Sequence, residues 1–154
     1  MGQRVQDLVG SFTLNTTIAL DTPFLIYHLE DTKPYSEKTT IILDTIGRKN
    51  STAIISLISY TELLVGILKK ENIELAINVR AFFENNPFIN ILDFRLEIAE
   101  YAAKIRSKTN LGLADSIIVA TAQSSKAKYL ITNDKKILKA QIFDVEVVLL
   151  DELI

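Results

Sequence analysis

Short apolar runs separated by longer stretches of helical spacing set the rhythm of this chain. Thr17–Leu20 reads as a brief strand ending in Asp21-Thr22-Pro23, and Pro23 suits the first turn of a helix through about Leu29. A loop around Lys33-Pro34 leads to a helix with Ile41, Ile42, Thr45 and Ile46 facing inward, which Gly47 closes. The apolar, β-branched run Thr52–Ile58 predicts a strand covered on both faces. Helices follow from Ser59 to about Lys70 and over Ile73–Glu84, then a third strand over Ile89–Leu92. The helix near Leu96–Lys108 carries Ile98, Ala102 and Ile105 at helical spacing. Leu113–Ser124 predicts another helix, Tyr129–Thr132 a strand, Lys135–Lys139 a short helix and Val145–Leu150 the last strand.

Strands divided by helical stretches imply an α/β fold, a three-layer sandwich around a central, mostly parallel sheet of four to five strands. That domain spans residues 17–154, preceded by an N-terminal extension over 1–16. Within the extension Val5, Leu8, Val9 and Phe12 share a helical face, a pattern that Gly10 weakens. No internal repeat or low-complexity tract interrupts the chain.

Composition narrows the chemistry. With 154 residues, 48% of them apolar and 23% charged, the chain is long enough for one stable core. There is no cysteine, which removes disulfides, thiolate zinc sites and cysteine nucleophiles together. The only histidine, His28, reads as a half-buried helix residue, so a histidine-based hydrolase or zinc site is disfavoured. A formal net charge of −2 is not that of a generic polyanion binder. No apolar run approaches the roughly 20 residues of a membrane span, and the start Met-Gly-Gln-Arg lacks a signal peptide's apolar core. The expected location is cytoplasmic, with no membrane partner.

Oxygen ligands therefore carry whatever chemistry there is. In open parallel sheets, sites form beyond the carboxyl ends of the strands. Asp21 ends the first strand, Glu62 lies in the first turn of the helix after the second, Asp115 opens a helix after Gly112, and Asp134 follows Tyr129–Thr132. Two carboxylates about 5 Å apart repel by roughly 3 kcal/mol at an effective dielectric of about 20. A cluster of this kind takes up protons or binds a hard cation, Mg²⁺ or Mn²⁺. Each acid also has an ordinary structural reading. Ser59-Tyr60-Thr61-Glu62 is a ready capping box, Asp115 complements a helix dipole, and Asp21 and Asp134 suit caps or turns.

Four segments together resemble the PIN-domain nucleases. Ile18-Ala-Leu-Asp-Thr-Pro-Phe-Leu-Ile-Tyr is similar to their opening strand and helix, and Ile58-Ser-Tyr-Thr-Glu-Leu-Leu-Val-Gly to their second acidic motif. Leu111-Gly-Leu-Ala-Asp-Ser-Ile-Ile-Val-Ala-Thr-Ala resembles the third closely, and Leu130-Ile-Thr-Asn-Asp-Lys-Lys the fourth. The match runs in order from about Thr17 to Leu150, and a stand-alone domain of this size looks most like the VapC toxins of toxin–antitoxin pairs.

The resemblance implies a Mg²⁺- or Mn²⁺-dependent endoribonuclease, the toxin of such a pair, working as a homodimer with an antitoxin protein as partner and RNA as substrate. It assigns Asp21, Glu62, Asp115 and Asp134 to metal and catalysis, with Thr132 as a polar neighbour. Arg106, Lys108, Lys135 and Lys136 are the basic side chains expected to meet the RNA backbone, and equally ordinary solubilising surface. One departure stands out. Where the family usually carries asparagine two residues after the first aspartate, this chain has Pro23, which removes a side-chain amide and a backbone donor. Rival readings are a catalytically silent PIN module that binds RNA or a protein, an RNA-processing nuclease outside any toxin–antitoxin pair, and an acidic phosphoacceptor domain. The last lacks its layout here, because Leu113-Ala114-Asp115 falls on a helix.

Overall fold

The computed structural model describes residues 3–142 and 144–154; Met1 and Gly2 of the predicted extension lie outside them. The chain opens with α1 (Gln3–Gly10), β1 (Thr17–Leu20), α2 (Thr22–Leu29) and α3 (Tyr35–Arg48). There follow β2 (Thr52–Ser56), α4 (Leu57–Lys69), α5 (Ile73–Glu84), β3 (Ile89–Leu92) and α6 (Leu96–Lys108). The last part holds α7 (Leu113–Ser124), β4 (Tyr129–Thr132), α8 (Lys135–Lys139), β5 (Glu146–Leu149) and a 3-10 turn over Leu150–Leu153.

The five strands form one sheet in the order β3-β2-β1-β4-β5, and every neighbouring pair is parallel. From β1 the chain builds outward through β2 to β3, then returns to lay β4 on the other side of β1. The order thus reverses between β1 and β4, the kind of crevice where sites form in open α/β sheets.

Side chains alternate along each strand with period two and so divide the interior. Ile18, Leu20, Ala53, Ile55, Tyr129 and Ile131 face a layer packed with Phe24, Leu25, Ile42, Leu63 and Val79 from α2 to α5. Ala19, Ile54 and Leu130 face the opposite layer, with Ile118, Val119 and Ala122 of α7 and Ile137 of α8. Helix α6 lies against α7 through Ile98, Ala102, Ile117 and Ala120. The result is the expected three-layer α/β/α sandwich, with an all-parallel sheet. The expected face of α1 is also buried, as Val5, Leu8, Val9 and Phe12 join the first of these cores.

Three boundaries differ from the sequence expectation. The strand over Thr52–Ile58 stops at Ser56, whose Oγ accepts the Ile58 N–H at 3.2 Å and caps α4. Helix α4 therefore starts at Leu57, not Ser59. Gly47 does not close α3 but lies inside it. A Cβ there would meet the Phe88 ring at 3.1 Å, so the glycine serves close packing, and the left-handed residue after the helix is Asn50 at φ 52°. The last strand ends at Leu149, where Leu150 and Leu153 turn into the core instead of continuing the ladder.

Phe12, 2% exposed with its ring 6.0 Å from that of Tyr129, tests how far α1 belongs to the core. Phe12→Ala should cost about 3–5 kcal/mol in urea unfolding, while Leu14→Ala, 69% exposed, should change stability by less than about 0.5 kcal/mol. Equal, small effects would show α1 and its flank to be an appendage.

Candidate active site

Two adjacent strand ends place the first and last acids. Asp21 directly follows β1, and its N–H continues the ladder to Ile131 O at 3.0 Å. Its Oδ1 accepts the Thr22 N–H at 2.7 Å, so it caps α2, and its Oδ2 accepts from Thr132 Oγ1 at 2.6 Å. Thr132, fully buried at the end of β4, in turn accepts the Asp134 N–H at 3.0 Å. One hydroxyl therefore ties the turns after β1 and β4 together across the switch point. Asp134 caps α8 by accepting the Lys136 N–H at 2.7 Å. Asn133 exchanges two 3.0 Å hydrogen bonds with Asp151, which also accepts from Tyr35 Oη at 2.7 Å, pinning the turn that presents Asp134.

Glu62 and Asp115 come from helices on opposite sides of the sheet. Because α4 begins at Leu57, Glu62 sits in its second turn, and the capping box with Ser59 does not form. Ser59 is buried inside the helix with its Oγ unpartnered. Glu62 instead accepts from Thr22 Oγ1 at 2.6 Å. Asp115 stands half-buried in the first turn of α7, with Oδ2 3.9 Å from where a Cβ on Gly112 would lie. Pro23 falls in the first turn of α2. First-turn N–H groups have no intrahelical acceptor, so the expected loss of a backbone donor removes no helical hydrogen bond.

The acids feel one another. Asp21 is 3% exposed, and burial pushes its carboxyl up to about 6, against the hydrogen bonds from Thr132 and Thr22; the charges of Asp115 and Glu62 raise it further. Asp115 is also raised, first by burial and then by Asp134 and Glu62, while Lys136 opposes the shift. All four sequence-predicted acids thus lie on one electrostatically coupled rim. Among the described residues, however, no three His, Cys, Asp or Glu side chains are gathered tightly enough to enclose an ion. The donor set is all oxygen and mutually repelling, with one buried carboxylate, which fits a hard divalent cation in kind; enclosing one requires the carboxylates to swing together.

The basic residues separate. Arg106 Nη1 donates to Leu111 O at 2.8 Å and so holds the connection between α6 and α7. Lys135 is exposed and its charge acts on Asp151. Lys108 and Lys136 line one depression together with Lys139, which was not singled out in the sequence although it follows Lys136 at helical spacing. Thr22 was also missed, since its link to Glu62 spans 40 residues. His28 is half-buried on α2, with Nδ1 3.0 Å from Thr39 Oγ1, and burial lowers its pKa.

A buried acid with a raised pKa has a definite pH signature. The folded state holds the Asp21 proton more tightly than the unfolded state, so the associated stability is complete below about pH 4 and is lost as pH rises through about 6. In chelator, the stability difference should move in favour of Asp21→Asn by up to about 3 kcal/mol between pH 4 and 7.5. Urea unfolding across that range checks this; a difference constant with pH would contradict it.

Comparison with known proteins follows the same lines. The VapBC2 complex of Rickettsia felis, solved bound to a DNA fragment from its promoter, aligns with a TM-score of 0.71 at 21% identity, covering 87% of this chain and 98% of that one. A toxin–antitoxin complex from Klebsiella pneumoniae aligns at 0.62 with 28% identity, covering 83% and 94%. VapC20 of Mycobacterium tuberculosis, a sarcin–ricin loop cleaving toxin, aligns at 0.67 with 12% identity, covering 84% and 98%; that likeness, like the first, is one of fold. No curated protein matches the chain in sequence. The sequence profile of the PIN domain matches residues 18–142, from the second residue of β1 to beyond α8 and including all four acids on the rim, so the chain belongs to the PIN domain family.

Proposed function

We propose that this chain is a metal-dependent endoribonuclease that hydrolyses phosphodiester bonds of RNA, acting as the toxin of a toxin–antitoxin pair. The observation that carries the reading is charge coupling across the switch point: Asp115 and Glu62 act on Asp21, and Asp134 and Glu62 on Asp115, with burial raising Asp21 and Asp115 first. Family membership supports nuclease chemistry. The fold it shares with the sarcin–ricin loop cleaving VapC20 supports RNA as the substrate. Toxin–antitoxin complexes among its structural neighbours support an antitoxin partner.

Asp21, Asp115, Asp134 and Glu62 are the residues that would hold Mg²⁺ or Mn²⁺. A divalent ion bound there supplies charge neutralisation at the phosphate and an acidified water for attack. The chain's own contribution is positioning. Thr132 fixes the Asp21 carboxylate through its 2.6 Å hydrogen bond, and Thr22 fixes Glu62 in the same way. Glu62, on the helix after β2, would orient the water or complete the ligand set. Lys108 and Lys135 would offset the charge of the RNA backbone near the rim, with Arg106 bracing the connection between α6 and α7. Attack by water on phosphorus, with the P–O3′ bond breaking and the 3′-oxygen leaving as a hydroxyl, would leave a 5′-phosphate and make no use of the 2′-hydroxyl.

Among the described residues no helix is long and apolar enough to cross a membrane, in keeping with a cytoplasmic toxin. Leu68 on α4 and Ile73 and Ile77 on α5 are exposed apolar side chains, the last two one helical turn apart, and support a homodimer. A second reading, a catalytically silent module that binds RNA or protein, draws on the open spacing of the acids and on Pro23.

Asp115→Asn separates the two. With single-stranded RNA and Mn²⁺ or Mg²⁺, wild type should cleave and the variant should be slower by roughly 10²–10³-fold. Equal cleavage by both would assign the activity to a contaminant. RNA bound but uncut by wild type at every metal concentration would establish the silent module.

A further inference from the structure

Beside the acidic rim lies a depression of about 570 Å³, walled on one side by Lys108, Thr109 and Asn110 and on the other by Lys136 and Lys139. Its volume falls within the range of small-ligand sites. No acid lines it, and among the described residues none of the three lysines forms an ion pair. In a chain of net charge −2, three unpaired ammonium groups around one concavity make a local reversal of sign.

Both walls are braced. Lys136 and Lys139, three residues apart, share a face of α8, and the fully buried Ile137 anchors that helix. On the other side Thr109 Oγ1 donates to Ile105 O at 2.8 Å and accepts the Leu111 N–H at 3.3 Å. Arg106 holds Leu111 O, so the guanidinium expected to meet substrate shapes the wall that carries Lys108 and Asn110.

The depression and the acids share their supports. Asp134 caps α8, and Lys139 lies five residues further on, about 7.5 Å along the axis. Asp115 opens α7 just after the Thr109–Leu111 wall, and the Lys136 charge acts on it directly. That coupling sets the depression within electrostatic reach of the acids.

We propose that this depression is a phosphate subsite for single-stranded RNA, in which Lys108, Lys136 and Lys139 hold the backbone phosphate next to the one presented to the acids. The proposal rests on the nuclease reading for the position of the scissile phosphate, but not for the binding itself. The ordinary alternative is that Lys108 and Lys139, at the C-terminal ends of α6 and α8, only offset helix dipoles and Lys136 is solvated surface, with no effect on RNA.

Fluorescence anisotropy with a 12-nucleotide RNA, in chelator and in the Asp115→Asn background, distinguishes them. Adding Lys108→Gln, Lys136→Gln and Lys139→Gln should weaken binding at least about tenfold at low salt and reduce the slope of log K against log salt by about 2, three contacts at roughly 0.7 each. The same drop is expected for single-stranded DNA of the same sequence, because phosphate and not the 2′-hydroxyl is read. Lys→Arg at all three positions should keep the slope, which guards against a fold defect in the glutamine variant. Unchanged affinity and slope would overturn the subsite, and an acidic 12-residue peptide that competes as well as RNA would overturn its assignment to nucleic acid. If wild type cleaves RNA while the lysine variant binds normally, the nuclease reading survives and the subsite falls. If wild type cuts nothing yet the slope drops, the reverse holds.

Discussion

Between β1 and β4 a single threonine hydroxyl carries two duties, donating to a buried carboxylate and accepting a backbone N–H from the turn that holds another. Asp21 is nearly removed from water, which disfavours its charge, and the hydrogen bonds at 2.6 and 2.7 Å fix its direction without restoring an ordinary pKa. The strain does not stop there. Asp115 and Glu62 each press on Asp21, and Asp134 on Asp115. Nothing in the fold itself calls for four carboxylates along one edge, where their like charges oppose one another. The arrangement makes sense when positive charge is brought in from outside.

Caps and chemistry are merged at this edge. Asp21 caps α2 and Asp134 caps α8, so both structural readings open in the sequence are realised, and neither excludes a ligand role. A cap uses one carboxylate oxygen on a backbone N–H and leaves further lone pairs directed elsewhere. The helices that start at the rim also deliver its cations, since α8 begins with an acid and continues into Lys136 and Lys139. Acid and base on one short helix give the rim two signs within about 8 Å along its axis, as the proposed RNA subsite beside the acids requires.

Much of this could be read in the sequence because it depends on short-range pattern. The apolar runs gave the strands, their alternation with helical spacing gave the parallel sheet, and Leu113-Ala114-Asp115 fixed the acid that opens α7. What stayed hidden depends on contacts between distant segments. Nothing local shows that Thr22 meets Glu62, or that Asn133 and Asp151 clasp each other at the end of the sheet. Ser56 was masked as a cap because Leu57 and Ile58 prolong the apolar run past it. Gly47 was read as a terminator when the reason for glycine is the ring of Phe88, forty-one residues on.

The central claim is that mutual repulsion among these acids is relieved by a divalent ion, and thermal unfolding measures it most directly. Wild-type protein freed of metal should gain about 2.7 kcal/mol at a hundredfold excess of Mn²⁺ or Mg²⁺ over Kd, raising Tm by roughly 5–10 °C, with Asp115→Asn gaining far less. A wild-type Tm indifferent to either ion over a broad concentration range would contradict the account.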